Sequence, residues 1–309
     1  MVYSYLGHLI DIVLINFTSL VLLATLFSLS SEFLKYGKTS TNKELGKSKF
    51  KLDKIVSFLL KLQLPKSWFI HFYVISFICS SLFIIFLISL KNKSLVLGDE
   101  TLDFLQKFII SPNSIQTPLP YDISLLVLFL NLIQASRRLY ECYFNFKPNK
   151  FSKINVSHYV VGIFFYFAIN VNILIKTIPN FIDESSIIEK KINSKTLFNL
   201  RIIFSILLFI IASIDQHINH VHLSKLVKYS IPRFGLFKLC CCAHYFDEIL
   251  LYLSEFIILM TDRTAFVILV WVLVNLSVSS NETFKFYQKK SKEQGKKYTV
   301  RYRIIPLVY

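Results

Sequence analysis

A histidine-rich polar segment separates two apolar stretches in the last third of the chain. This segment, residues 215–252, holds four of the seven histidines: His217, His220, His222 and His244. Gln216, His220 and Lys228 follow one another at helical spacings and therefore share one face. Glu248 and Tyr252 repeat that spacing where the next apolar stretch begins. Ionisable residues that enter a bilayer are functional candidates by default, whereas the alternative is a solvated loop at the level of the headgroups.

A second candidate cluster combines two arginines with an acid and an amide. Gln134, Arg138 and Glu141 lie at positions i, i+4 and i+7 of another apolar stretch, beside Arg137. Two arginines next to one glutamate leave a surplus of positive charge, which would suit a phosphate. The structural alternative is an internal salt bridge with side chains that reach toward the headgroups.

The composition places the chain in a membrane. Hydrophobic residues make up 54% of its 309 residues, and the mean hydropathy is +0.53. This balance is typical of a polytopic membrane protein. In such a chain the net charge of +16 indicates loop orientation and contact with anionic headgroups better than it indicates nucleic acid.

Familiar catalytic motifs are missing from the sequence. It contains no GxGxxG, P-loop, HExxH, histidine-box or GxSxG pattern. A nucleotide would therefore have to bind to side chains, and no metal site is predicted. The five cysteines do not have the spacing of a disulfide framework, so we expect reduced thiols on the cytosolic side.

Seven apolar stretches have about the length that crosses a bilayer, which predicts an all-α protein. They lie near Leu9–Leu29, Trp68–Leu90, Ile123–Tyr143, Val156–Lys176, Leu197–Ile214, Tyr245–Met260 and Thr264–Ser280. The fifth and sixth are short, and continuation of the helix into the Gln216 segment would lengthen the fifth.

Charged loops predict the orientation of these stretches. Residues 32–66 carry nine lysines, and the tail after the seventh stretch is also basic, whereas the loop with Asp99, Glu100 and Asp103 is acidic. Because cytosolic loops are enriched in lysine and arginine, we expect a lumenal N-terminus and a cytosolic C-terminus.

Several short pieces of sequence, taken in order, carry a family resemblance. They are Lys35-Tyr-Gly-Lys-Thr39, the stretch from Leu64 to Ser76, Arg137-Arg-Leu-Tyr-Glu-Cys142, the QxxxHVxL pattern that begins at Gln216, the stretch from Cys242 to Glu248, and the closing residues 303–309. Together they resemble the steroid 5α-reductase family, and most closely its polyprenol (polyprenal) reductase branch in fungal form.

The resemblance implies a fold and an activity. It implies a single membrane domain over residues 1–309, with the catalytic and NADPH-binding part in residues 197–309, in a multi-pass protein of the endoplasmic reticulum. The implied reaction is the NADPH-dependent reduction of a carbon–carbon double bond conjugated to a carbonyl. In this branch it converts polyprenal to dolichal and so supplies dolichol for protein N-glycosylation.

The resemblance also assigns roles to individual residues. The family's cofactor-contacting positions fall on Arg138, Gln216, His220, His244, Glu248 and, just past the seventh helix, Tyr287. The family's LRK reads Leu226-Val227-Lys228 here, which makes Lys228 the candidate substitute for the arginine. The histidine that usually precedes Tyr287 is absent, and the tail lacks the family's tyrosine–proline pair.

The reaction itself points to a hydrogen-bond donor on the substrate's oxygen. Hydride adds to the β-carbon of an enal only if the carbonyl oxygen is polarised, because that oxygen takes up the developing charge. Tyr73 and His71, at the start of the second helix, are the catalytic candidates, since a neutral tyrosine can donate and a histidine can deliver a proton. The alternative is an interfacial aromatic belt.

Three other functions stay open at this point. Two belong to the same family, namely reduction of a 3-oxo-steroid and reduction of an enoyl thioester. Isoprenylcysteine methyltransferases have a similar helical plan but an RHPxY signature, where this chain reads Cys242-Ala-His-Tyr. A lipid-binding protein or channel without catalysis, with its polar face as a pore lining, is the alternative outside enzymes.

Overall fold

A computed structural model describes residues 5–26, 62–108, 118–145, 152–182, 199–227, 230–260 and 262–309. Its main helices are α1 (Tyr5–Leu26), α2 (Ile70–Lys91), α3 (Asp99–Phe108), α4 (Tyr121–Phe144), α5 (Val156–Thr177), α6 (Leu200–Lys225), α7 (Ala243–Ile258) and α8 (Arg263–Glu293). Each of the seven predicted stretches is helical over most of its described residues, which confirms the all-α membrane fold. The helix α3 was not predicted, because its mixed polar sequence resembles a loop.

Among the residues that the structure describes, five helical segments are long and apolar enough to cross a membrane. They are Lys66–Lys91, Tyr121–Phe144, Val156–Phe181, Leu200–Lys225 and Arg263–Glu293. The other two predicted spans are shorter: α1 contributes the apolar segment Gly7–Leu22, and α7 has 16 residues. The helix α7 packs along α6 and against α8, and α1 packs on α8.

Two helices continue beyond their apolar stretches. The helix α6 runs through the Gln216 segment to Lys225, as predicted, and so carries the polar residues on a continuous helix. The helix α8 runs to Glu293, so the prediction that Tyr287 lies just past the last helix is wrong. Residues 281–293 contain no proline or glycine, and the helix ends only before Gly295, which has a positive φ of 65°. Hydropathy therefore marked where the apolar surface ends rather than where the helix ends.

Two short strands connect neighbouring helices. The strand β1 (Gln63–Pro65) pairs antiparallel with β2 (Lys153–Asn155). The strand β2 directly precedes α5, and a 3-10 turn, Lys66–Phe69, separates β1 from α2. The side chain of Asn155 caps α5 by accepting from the Ser157 N–H at 2.9 Å. Along the same interface, a Cβ at Gly162 would lie 2.7 Å from the ring of Phe72, so glycine permits the close approach of α2 and α5.

The residues that follow α8 return to the segment that precedes α7. The N–H of Cys241 donates to the carbonyl of Tyr302 at 2.9 Å, and the N–H of Cys242 donates to the carbonyl of Arg303 at 3.0 Å. The side chain of Arg303 donates to Asn281 on α8 at 2.9 Å. These bonds attach the tail to α8 and to the residues that directly precede α7.

Candidate active site

A buried carboxylate on α4 is the centre of the largest polar network. Glu141, which is 2% exposed, accepts hydrogen bonds from Arg137 and Arg138. Its oxygens also lie 2.9 Å from Nδ1 of His217 and 2.7 Å from Nδ1 of His220. A carboxylate in this position is tolerated only when it is paired and hydrogen-bonded. The internal salt bridge predicted as an alternative is thus present, and two histidines of α6 join it.

Arg138 connects this network to a predicted catalytic residue. Its Nη2 donates to the hydroxyl of Tyr73 at 2.8 Å, and its guanidinium carbon lies 4.8 Å from the centre of the Tyr73 ring. Tyr73 is 3% exposed. Because the tyrosine oxygen accepts from Arg138, its own hydrogen is left to donate to another group.

Gln216 joins three helices through one amide. Its Oε1 accepts from Arg137 and, at 3.2 Å, from Nε2 of Gln134, both on α4. Its Nε2 donates to the carboxylate of Glu248 and, at 3.3 Å, to the backbone carbonyl of His244 on α7. The side chain is 1% exposed, so the orientation of this amide is fixed by its partners.

The structure therefore brings six of the nine predicted site residues together. We call this set the Arg138 network: Tyr73, Arg138, Gln216, His220, His244 and Glu248, with Arg137 and Glu141. The ring of His244 lies 5.8 Å from that of His220. The network draws on α2, α4, α6 and α7, which no single stretch of sequence contains.

Of the other three predicted residues, the structure describes two, and both lie elsewhere. His71 is two residues before Tyr73 on α2, so the two side chains point about 160° apart. His71 therefore faces away from Arg138, and its Nδ1 lies 2.9 Å from the hydroxyl of Tyr159. The buried ring of Tyr287 packs near those of Phe286 and Tyr298. Lys228 falls outside the described residues.

The charge balance differs from the expected surplus. Glu248 interacts electrostatically with both Arg137 and Arg138, in addition to Glu141. Two arginines and two glutamates cancel when the histidines are neutral, so the expectation of surplus positive charge is wrong for this network. Its capacity to bind anions lies instead in individual donors. The Nε atoms of both arginines are buried and have no hydrogen-bond partner within the described ranges.

Two tyrosines extend the network beyond the predicted residues. The ring of Tyr166 lies 5.2 Å from that of Tyr73, and Tyr252 has Tyr166 and Glu248 among its electrostatic neighbours. The sequence indicated Tyr252, because it follows Glu248 by four residues and so shares its helix face. Nothing in the sequence distinguished Tyr166 from the other aromatic residues of α5.

Four of the five cysteines lie apart from this network, whereas Cys142 has Arg138 and Glu141 among its electrostatic neighbours. All five are free, and Cys240, Cys241 and Cys242 are buried where the tail meets α7. Burial raises the pKa of the Cys240 thiol to about 12. Its thiol therefore stays protonated at neutral pH and is a poor nucleophile.

Comparison with known proteins places the chain in a family. Residues 160–309 match the family described as 3-oxo-5-alpha-steroid 4-dehydrogenase. The chain is 32% identical over 281 residues to a polyprenal reductase of Saccharomyces cerevisiae, covering 90% of this chain and 86% of that protein. It is 29% identical to a polyprenal reductase of Drosophila melanogaster, with 85% and 82% covered, and 26% identical to one of Danio rerio, with 84% and 82% covered. The chain therefore belongs to the steroid 5α-reductase family, on its polyprenal reductase branch.

Proposed function

We propose that this protein uses NADPH to reduce the α-isoprene double bond of polyprenal, forming dolichal for dolichol synthesis and protein N-glycosylation. The relatives named polyprenal reductases support the substrate. The observation that carries the mechanism is the hydrogen bond from Arg138 to Tyr73. It joins a hydroxyl donor on α2 to the polar network of α4, α6 and α7.

The residues of the network fit a dinucleotide. The unpartnered Nε donors of Arg137 and Arg138 can donate to phosphate or carboxamide oxygens. His244 and Glu248 lie on the first turns of α7, beside Gln216 and His220. When bound there, NADPH supplies the hydride.

Tyr73 acts on the other reactant. We infer that its hydroxyl donates to the aldehyde oxygen of the substrate, where negative charge develops as the β-carbon is reduced. Arg138 holds the tyrosine oxygen in place, and Glu141 holds Arg138. A fixed donor of this kind is worth about 2.7–4 kcal/mol to the transition state. A proton must then reach the α-carbon to complete the saturation.

The chemistry selects the aldehyde over the alcohol. Hydride addition to the double bond of an allylic alcohol would leave a carbanion with nothing to delocalise it, whereas an aldehyde forms an enolate. No flavin or metal motif in the sequence suggests another route. The protein should therefore leave polyprenol unchanged, and separate alcohol and aldehyde oxidoreductases would convert polyprenol to polyprenal and dolichal to dolichol.

Apolar residues on the outer surface of α2 suit a long isoprenoid tail. Ile78, Leu82 and Ile85 are 47%, 56% and 61% exposed and follow one another at helical spacing. They lie on the same helix as Tyr73, one to three turns farther along. These side chains point about 120–180° away from Tyr73 around the helix, so the tail can lie on this lipid-facing surface only if its aldehyde end passes around α2 to reach Tyr73.

The domain plan and the location follow from the same proposal. Residues 1–309 form one membrane domain in the endoplasmic reticulum. Residues 197–309 carry most of the cofactor positions, and α2 and α4 bring Tyr73 and Arg138 to them. Because the loops of residues 32–66 and the tail are basic, we place the N-terminus in the lumen and the C-terminus in the cytosol. A C-terminal tag that resists added protease in sealed microsomes would contradict this orientation.

The substrate proposal is tested with purified protein and NADPH. Polyprenal, polyprenol and a 3-oxo-steroid with a conjugated double bond are supplied separately, and the reduced product is identified by mass spectrometry. We expect saturation of polyprenal alone. Equal rates on polyprenol, without a contaminating dehydrogenase, would refute the electron-sink argument, and faster reduction of the steroid would favour the other family activity. A protein that does not bind NADPH saturably would be a lipid-binding protein or channel.

A further inference from the structure

Another carboxyl group of α7, that of Glu255, lies farther along the helix than the Arg138 network. Glu248, Tyr252 and Glu255 occupy positions i, i+4 and i+7 and so share one face of the helix. Glu248 belongs to the Arg138 network through Gln216. Glu255 is about 10 Å farther along the helix axis, and the proposed mechanism gives it no task.

Glu255 lines a small internal cavity together with other polar groups. The cavity has a volume of about 20 Å³, and its polar lining residues are Asn172, Tyr252 and Glu255, whereas the others are apolar. Asn172 is 1% exposed, and its Nδ2 donates to Asp262 at 2.9 Å. Its Oδ1 has no hydrogen-bond partner in the part of the chain that the structure describes. A cavity above about 15 Å³ with two to four polar groups around it can hold one water molecule.

Tyrosines fill the space between this cavity and the substrate site. Tyr252 has Tyr166, Glu255 and Tyr73 among its electrostatic neighbours, and Tyr166 hydrogen-bonds to Tyr252. The ring of Tyr166 lies 5.2 Å from that of Tyr73. Two phenolic hydroxyls, those of Tyr252 and Tyr166, thus lie between the carboxyl group of Glu255 and Tyr73, the residue that would contact the aldehyde.

We propose that Glu255, through Tyr252 and Tyr166, supplies the proton that Tyr73 gives to the substrate's α-carbon, and that a water molecule bound by Asn172 restores the proton to Glu255. This proposal rests on the function proposed above. Each turnover consumes one hydride at the β-carbon and one proton at the α-carbon. Tyr73 loses its proton to the α-carbon and regains one from Tyr166.

The rest of the transfer balances in the same way. Tyr166 is reprotonated by Tyr252, Tyr252 by the Glu255 carboxyl group, and the resulting carboxylate by the water, which takes up one proton from bulk solvent in exchange. At every step one O–H bond breaks and one forms, and the only oxidation and reduction are those of NADPH and the double bond. Glu255 acts through the tyrosines and does not touch the substrate.

Glu255→Gln tests the proposal, because glutamine preserves the size and the hydrogen bonding but cannot release a proton. We expect kcat for polyprenal to fall on the order of 100-fold, with an unchanged KM for NADPH. We also expect the solvent deuterium isotope effect on kcat to increase, since proton transfer becomes rate-limiting. Tyr166→Phe should reproduce both effects.

Ser254→Ala is the matched control. Ser254 is a buried neighbour on the same helix, and its hydroxyl donates to the Leu251 carbonyl at 2.6 Å. It should leave kcat and the isotope effect near their wild-type values. If Glu255→Gln does not fold, Glu255→Asp and Glu255→Asn are compared instead: more activity in the aspartate variant supports proton supply, and equal activity overturns it.

The outcomes also separate this proposal from the function on which it rests. Wild-type protein that does not reduce polyprenal refutes the proposed function. Wild-type activity together with an unchanged kcat and isotope effect in Glu255→Gln refutes only the proton supply. A raised KM for NADPH with an unchanged isotope effect would place Glu255 in the cofactor site and overturn the proposal as well.

Discussion

Two buried polar clusters, with similar residues, differ in which kind of atom stays without a partner. In the Arg138 network, two arginines and two glutamates share partners with histidines, and two arginine Nε donors stay unpartnered within the described residues. In the second cluster, which we call the Asp262 cluster, Lys176 pairs with Asp262 and donates to Thr264 at 3.1 Å. Asp262 also caps α8 by accepting from the Thr264 N–H at 2.9 Å. Among the described residues, the atoms of this cluster that have no hydrogen-bond partner are acceptors, namely Oδ1 of Asn172 and the carboxylate oxygens of Asp11. Spare cationic donors can bind an anionic ligand, whereas the fully paired Asp262 carboxylate joins helices.

The Asp262 cluster joins three parts of the chain. Lys176 and Asn172 are on α5, Asp262 and Thr264 are at the start of α8, and Arg263 lies 3.6 Å from Asp11 of α1. A buried ion pair adds little over a well-packed apolar pair, but removal of one partner leaves an uncompensated charge. We therefore expect this cluster to affect stability and the Arg138 network to affect catalysis.

The largest effect should come from breaking the Asp262 cluster. Lys176→Ala leaves the Asp262 carboxylate buried without its ionic partner and should lower the free energy of unfolding by roughly 3–5 kcal/mol. Thermal unfolding in detergent measures this, and the KM for NADPH of the folded protein should be unchanged. Lys285→Ala is the control, because its pair with Glu282 is exposed and worth at most about 1 kcal/mol. Equal effects of the two substitutions would contradict the distinction between buried and exposed pairs.

The second effect concerns catalysis in the Arg138 network. Tyr73→Phe removes the donor to the aldehyde oxygen and should lower kcat by about 10²–10³-fold. The melting temperature should change little, because the ring and its packing are retained. His71→Phe should have a much smaller effect on kcat, since His71 contacts Tyr159 rather than Arg138. If His71→Phe lowers kcat more than Tyr73→Phe does, His71 rather than Tyr73 is the donor to the aldehyde oxygen.

A third, smaller effect concerns the cofactor. Glu248→Gln and His220→Ala each remove a charged hydrogen bond or its partner, worth about 1.5–3 kcal/mol, and should raise the KM for NADPH by one to two orders of magnitude. The KM for polyprenal should change less. His222→Ala, on the same helix but beside Phe234 and Phe237, is the matched control. An unchanged KM for NADPH in both test variants would remove these residues from the cofactor site.

The smallest effect should come from the edge of the Asp262 cluster. Thr264→Val removes one acceptor of Lys176 but leaves the ion pair with Asp262, so the cost should be about 1 kcal/mol. Urea unfolding can resolve a change of this size. A clear loss of kcat in this variant would show that the two clusters are coupled.

Apolar length and helical spacing were sufficient to predict most of the fold. Seven stretches were found because a bilayer requires about 20 apolar residues, and the spacing of Gln216 and His220 predicted that α6 continues. The same criterion missed α3 and the last turns of α8, because a helix outside the apolar core follows propensity and capping rather than hydropathy. The two strands were too short to leave a period-2 pattern.

The site was less predictable than the fold. Arg138, Glu141 and Glu248 were identified because they are charged residues within apolar helices, where an unpaired charge is costly to bury. Their partners depend on how α4, α6 and α7 face one another, and for this reason the place of Glu248 opposite the arginines was missed. Tyr166 was missed because a tyrosine in an aromatic-rich helix has the sequence pattern of a core residue.

The backbone bonds between the tail and Cys241 and Cys242 bear on how deletion experiments are interpreted. Residues 302 and 303 supply the carbonyls that hold the segment just before His244. Removal of the tail would release the first turn of α7, and weaker cofactor binding would follow even if no deleted side chain contacts the cofactor. A truncated protein would thus be mistaken for one that has lost a binding residue. Proline at position 241 or 242 would remove the same N–H donor with every tail side chain still in place, and so separates the two explanations.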